Sequence, residues 1–179
     1  MPLGGTPPIH LYGDVPTWLK RLPSNASFVV HRRSIFGDNQ TGILDSDRST
    51  EAGSQAVSIW FYPLRVSSPE RGILEALDEV TDRSGFEPLD KRFESLTMLR
   101  PRVLMALLTA CRTVTVRRLF FVFADRHGHA WRKHLDAGKI GFGSGPRALV
   151  EGGRLHPTYR IYVPEDFIPR SESEADAGA

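Results

Sequence analysis

The sequence predicts an α+β fold, with strands at both ends of the chain around a central set of helices in a single domain. Three observations carry this. β-branched and aromatic runs stand at 27–36 and 56–66 and again at 147–150 and 159–164, the composition of strands. Between them, from Pro69 to Gly128, apolar residues recur at helical spacing. Prolines at 69 and 101 sit where helices would begin, the one helical position where a missing N–H costs nothing.

Taken in order, residues 1–8 are rich in Pro and Gly and read as a loop. "HLYG" (10–13) reads as a short strand, and "PTWLKRL" (16–22) as one helical turn with Trp18 and Leu22 facing inward. Ser27–Phe36 is a strand. The polar segment 37–55 is a loop or a hairpin with a mobile tip, and 56–66 is a second strand, bent at Pro63. "SSPERGILEAL" (67–77) is a helix start. Either Ser68 caps it directly, or Ser67 does and Glu70 completes a capping box. Ile73, Leu74, Leu77 and Val80 then form a stripe for the core, and the helix is predicted over Pro69–Asp82. Glu70 and Arg71 read as cap and solvated face, with Arg71 at the surface.

A short helix is predicted over Pro88–Leu96. Another starts at Pro101, with the apolar stripe Val103, Leu104, Leu107, Leu108 and Cys111. "TVTVRRLFFVFADRHG" (113–128) has strand-favouring residues, but Val116, Leu119, Phe120 and Phe123 keep helical spacing, so a helix ending at Gly128 is predicted. "WRKHLD" (131–136) makes a short turn. "RALV" and "YRIYVP" read as two strands joined by "EGGRLHPT". The domain is expected to span 1–168. The acidic segment 169–179 lacks the apolar residues to bury and is expected to be disordered.

At 179 residues with 40% hydrophobic content, the chain is long enough for a sizeable core. No apolar run approaches a membrane span, and no charged-then-apolar leader is visible. The lone Cys111 cannot form an internal disulfide and reads as a buried mid-helix thiol. A cytoplasmic protein is expected. The net charge of +2 conceals an asymmetry: residues 91–133 carry ten bases and two acids, net +8, whereas 165–179 carry five acids and one base, net −4. Such a basic stretch suits DNA or another acidic partner; it also suits arginines on the wet faces of several helices.

Catalytic constellations are sparse. His127, His129 and His134 lie close in sequence but match no standard metal spacing. "GFGSGPR" (141–147) has the glycines of a phosphate loop, with Arg147 as an added charge, but lacks the Gly-Lys-Ser/Thr ending; a tight turn is the plainer reading. No serine stands in a nucleophile elbow. No acids pair as a general acid and base. A non-enzyme without cofactor is expected. The candidate nucleic-acid contacts, chosen by charge and position, are Arg100, Arg102, Arg117, Arg118, Arg132 and Lys133.

The order of "PLGG…LYG…PTWL" (3–19), "SSPERGILEAL" (67–77), "LRPRVLMALLTAC" (99–111), "VRRLFFVFADRHGHAW" (116–131), "GFGSGPRALVEGG" (141–153) and "YRIYVP" (159–164) resembles the C-terminal domain of AbiEi-type antitoxins of bacterial type IV toxin–antitoxin (abortive infection) systems. The resemblance implies a functional partner, an AbiEii-type nucleotidyltransferase-like toxin, neutralised without a stable complex. It also implies a C-terminal domain that carries antitoxicity and assists DNA binding with basic residues. Members typically repress their own operon through an N-terminal winged helix. Here "PLGG" follows Met1 directly, so the resemblance implies antitoxicity more directly than operon repression by this chain alone.

Overall fold

Ser68 is the N-cap of the first long helix, α1 (Pro69–Asp78): its Oγ accepts the Arg71 N–H at 3.4 Å. In this computed structural model, which describes residues 8–21, 26–45 and 65–169, Ser67 plays another part and donates its hydroxyl to Glu75 Oε2 at 2.7 Å. Helix α1 stops at Asp78, short of the predicted Asp82. Asp82 instead caps a 3-10 turn over Arg83–Gly85, accepting the Ser84 N–H at 2.7 Å. Helix α2 (Phe86–Ser95) begins two residues before Pro88; Pro88 still falls in the first turn, where no helical N–H is required.

Helix α3 (Pro101–Ala110) opens on its proline as predicted. Cys111 is its C-cap rather than a mid-helix residue, buried with its N–H on Leu107 O. Helix α4 (Val114–His127) resolves the ambiguous segment as helix. It closes on Gly128 in the left-handed conformation, φ 57°, with its N–H on Ala124 O. Residues 118–124 of α4 are all buried. A helix enclosed on every side is apolar all round, which is why its composition mimics a strand.

α4 packs on α1 and α2, and α1 on α3. Leu74, Leu104, Leu107, Leu108, Leu119, Phe93, Phe120 and Phe123 are fully enclosed between them. The phenylalanines form a connected cluster: Phe93 and Phe123 stack at 4.9 Å between centroids, and Phe167 meets Phe123 edge-on at 5.1 Å. Such pairs stabilise by about 0.5–1.5 kcal/mol beyond their burial.

Among the described residues, three two-stranded pairs accompany this core. β1 (Ile9–Tyr12) runs parallel to β2 (Phe28–His31), with Tyr12 opposite His31. β2 is shorter than the predicted Ser27–Phe36; beyond it, Ile35 and Phe36 turn into the core. β3 (Ile43–Asp45) pairs antiparallel with β4 (Arg65–Ser67). The segment read as polar loop therefore supplies a strand, while most of the predicted strand 56–66 lies outside the described residues. β5 (Arg154–Leu155) pairs antiparallel with β6 (Tyr162–Val163). The partner of β6 thus comes from the predicted connector. The predicted strand at 147–150 reduces to a single parallel bridge from Arg147 to Ile161. Trp18 sits on a 3-10 turn (Thr17–Arg21) and is 58% exposed, contrary to the inward placement expected from its bulk; Leu22, the 1–7 loop and the tail from 170 lie outside the described residues. The architecture is a single α+β domain with a helical centre.

Candidate nucleic-acid interface

Arg118 is only 1% exposed, although its neighbour Arg117 is half-buried. Its guanidinium makes five hydrogen bonds to four carbonyls: Nε and Nη2 to Phe142 O at 2.9 and 2.6 Å, Nη2 to Gly143 O at 3.2 Å, and Nη1 to Gly145 O and Arg160 O at 2.7 and 2.8 Å. Five donors in a rigid fork suit such a ring of acceptors. Burial, and then the nearby Arg147 and Arg160 charges, lower its pKa from the ordinary arginine value; it remains charged. Arg118 is therefore a scaffold cation, and the placement corrects its reading as a surface contact.

The same contacts revise the "GFGSGPR" loop. An anion-binding loop turns several N–H groups inward. Here the carbonyls of Phe142, Gly143 and Gly145 converge instead on a protein cation. The loop is tight, with Gly143 and Gly145 at φ 63° and 71°, as its turn composition predicts.

Arg100 and Arg132 are also engaged. Arg100 grips Glu70 through its backbone N–H, Nε and Nη2, each at 2.9 Å. Glu70 is 2% exposed. Burial raises its pKa, but the side-chain and backbone hydrogen bonds from Arg100 prevail and bring it down to about 2. Arg132 lies over the Phe121 ring at 4.9 Å and donates to Asp125 Oδ1 at 2.5 Å. Tyr159 donates to the other Asp125 oxygen; burial, then that carboxylate, push its hydroxyl up to about 12, so it stays a donor.

Arg71 is a second buried cation, contrary to its expected place at the surface. It pairs with Glu75 at 2.8 Å and lies 4.5 Å above the Phe36 ring. Its Nη1 donates to the carbonyls of Asn39 and Thr41 at 2.8 and 3.0 Å. A helix-start pattern of Pro-Glu-Arg gives no hint that both charges turn inward, because Arg100, the donor to Glu70, and Asn39 and Thr41, carbonyl acceptors for Arg71, lie some thirty residues away.

Among the described residues, two of the six candidate cations, Arg100 and Arg132, hold carboxylates; of the other four, Arg118 is enclosed by carbonyls, and Arg102, Arg117 and Lys133 are left without an ion pair. Arg102 and Lys133 are exposed. Arg102 shares a shallow depression with Pro101, Met105 and His134. Arg117 lies against the glycine loop, where a Cβ at Gly141 would come 3.3 Å from its Nη1. Its Nε is buried and has no hydrogen-bond partner, alone in this among the described residues. Two arginines outside the candidate list join this face. Arg147 and Arg160 are exposed, carry no ion pair among the described residues, and flank Arg118 closely enough to lower its pKa. Arg147 had drawn notice as part of a phosphate loop; the backbone bond from Arg147 N–H to Arg160 O at 3.0 Å brings the two together. Their pairing depends on strand geometry that spacing alone does not reveal.

His127 and His129 stack with ring centroids 5.8 Å apart, but among the described residues the three clustered histidines do not gather as metal ligands. His127 pairs with Asp90 at 2.8 Å, His129 faces Phe93 O at 2.7 Å, and His134 lies in the depression beside Arg102. Burial pushes the Cys111 thiol above its ordinary value, which suppresses its reactivity.

A family model described as transcriptional regulators, AbiEi antitoxins of type IV toxin–antitoxin systems, matches residues 7–164. The chain belongs to this AbiEi antitoxin family. The matched span includes the four helices and three strand pairs of the described residues. Neither a curated protein nor a solved structure matches the chain significantly. Membership is that of a family of antitoxins and regulators, a class distinct from enzymes. No helix among the described residues is long and apolar enough to cross a membrane.

Proposed function

We propose that this chain is the antitoxin of a type IV pair that counteracts an AbiEii-type nucleotidyltransferase toxin, and that it contacts nucleic acid through Arg117, Arg147 and Arg160, supplemented by Arg102 and Lys133. The observation that supports the nucleic-acid part is the cluster of arginines around the glycine loop, with no carboxylate partner among the described residues. Cations free of carboxylates are available to displace counterions from a phosphate backbone. Arg118 supports them from beneath by fixing the loop. Arg100 and Arg132 act on Glu70 and Asp125 rather than on a ligand.

Co-expression tests the first part. The neighbouring toxin gene is induced with and without this chain, and colonies are counted. Rescue is expected; its absence, with both proteins soluble and the toxin active, overturns the antitoxin reading. Titration of duplex DNA across a salt series tests the second. Replacing Arg117, Arg147 and Arg160 together by Ala is expected to flatten the plot of log K against log salt by up to about three units, roughly 0.9 per lost phosphate contact. An unchanged slope places the nucleic-acid surface elsewhere.

A further inference from the structure

Away from the arginines, His10, His31 and Glu79 bring three metal-ligand atoms to one point. His10 Nδ1 lies 3.0 Å from His31 Nε2 and 2.8 Å from Glu79 Oε1, and His31 Nε2 lies 3.2 Å from the same oxygen. The Tyr12 hydroxyl donates to that oxygen at 3.3 Å. The parallel register of β1 and β2 creates the arrangement. Tyr12 stands opposite His31, and His10, two residues before Tyr12, shares its face. Glu79, the C-cap of α1, closes the triangle.

Hydrogen bonding alone does not satisfy this triangle. A carboxylate oxygen only accepts, and each imidazole nitrogen offers either one proton or one lone pair. If both nitrogens donate to Glu79, two N–H groups oppose each other across 3.0 Å. If one donates to the other, it no longer donates to the carboxylate. A single cation resolves the conflict, because all three atoms can direct lone pairs to it. The dimensions agree: ligands about 2.0–2.1 Å from a metal stand roughly 3.0–3.4 Å apart in octahedral or tetrahedral geometry. The two imidazoles lie 14° from parallel with centroids 5.3 Å apart, so the facing nitrogens are the near edges of the rings. A turn of each ring about its Cβ–Cγ bond aims its lone pair at an ion. The side chains are 32%, 22% and 34% exposed, which leaves an open approach from solvent.

We propose that His10, His31 and Glu79 form a binding site for a divalent transition ion of the zinc class. Two imidazoles and one carboxylate favour zinc and its neighbours over magnesium or calcium, which prefer all-oxygen sets. The hydrogen bonds and ion pairs that reach from β1 and β2 to α1 all end on Glu79 Oε1. A bound ion therefore ties the N-terminal strand pair to the helical body.

The test is a titration of chelator-stripped full-length protein with Zn²⁺ by calorimetry, with Co²⁺ as a visible-absorption probe of the ligand field. One ion per chain is expected, with a raised melting temperature, since a ligand of the native state stabilises it. His10→Ala and His31→Ala are each expected to weaken binding by roughly tenfold or more, while His127→Ala, outside the triangle, leaves it unchanged. Far-ultraviolet circular dichroism confirms that the variants keep their helices. Mg²⁺ at the same concentration gives no heat. Absence of binding overturns the proposal; so does binding that His10→Ala leaves intact.

Discussion

Replacing Arg118 by Met removes a guanidinium from the centre of four carbonyls while keeping a long apolar side chain on α4. Five hydrogen bonds are lost, at 2.6–3.2 Å. Hydrogen bonds to a charged group contribute about 1.5–3 kcal/mol each, but deletions within one network do not add. Three of the four acceptors lie on the loop at 142–145, where residues 143–147 are exposed, so some of them regain water. Each buried carbonyl left without a partner costs about 1–3 kcal/mol, and with some of the four rehydrated the total is about 3–4 kcal/mol. For a chain of this length each kcal/mol shifts Tm by roughly 2–4 °C, so a fall of about 10 °C is expected. The assay is urea and thermal unfolding followed by circular dichroism, with amide exchange across 141–147. Arg118→Lys keeps the charge, but its single ammonium has no fork to span four acceptors; it should recover less than half of the loss. A Met variant within about 1 kcal/mol of the wild type would refute the account, as would a destabilised variant whose loop exchanges no faster.

Acid should expose the Glu70–Arg100 contact. Glu70 is held at about 2, below its ordinary 4.5, so its contribution is fully present above pH 4.5 and disappears as pH falls toward 2. Discounted for the 57% exposed Arg100, the effect amounts to about 1–2 kcal/mol. Glu70→Gln should flatten that part of the pH–stability profile, and an unaltered profile would sink the assignment. Gly42 has φ 74°, and a Cβ there would stand 3.0 Å from Arg71 Cβ and Ser68 Oγ. Gly42→Ala should therefore destabilise by about 1–3 kcal/mol in urea unfolding; a neutral result would mean that the turn relaxes freely. Cys111, buried with a raised pKa, should react with a thiol reagent at neutral pH only after denaturant is added. Rapid labelling of the folded protein would show that the α3–α4 junction opens.

The helical centre was legible because its signals were local. Pro69, Pro101 and Gly128 mark helix ends by their own backbone limits, and they stand where expected. The apolar stripes of α1 and α3 likewise read directly from spacing. The strands were less legible. Each pair is only two to four residues long, too short for alternation to declare itself, and β5 hides among turn residues. Charge was the least legible property. Of the ten bases in 91–133, Lys91, Arg100, Arg126 and Arg132 hold carboxylates and Arg118 is enclosed. Composition counts a buried guanidinium and a free one alike, because the partner that distinguishes them is remote in sequence.

The two inward arginines carry a consequence for reading variants of this antitoxin. Arg71 and Arg118 each fasten a separate loop, 39–41 and 142–145, through backbone carbonyls. Because carbonyls belong to every residue, side chains along those loops can drift with little effect on the fastening. The arginines themselves cannot be exchanged for lysine at equal net charge, since a point charge on a flexible stem does not reproduce a planar fork. At Arg102 and Lys133 the same exchange should pass unnoticed by the fold. One substitution thus has opposite meanings at different positions, and net charge gives no warning of which applies.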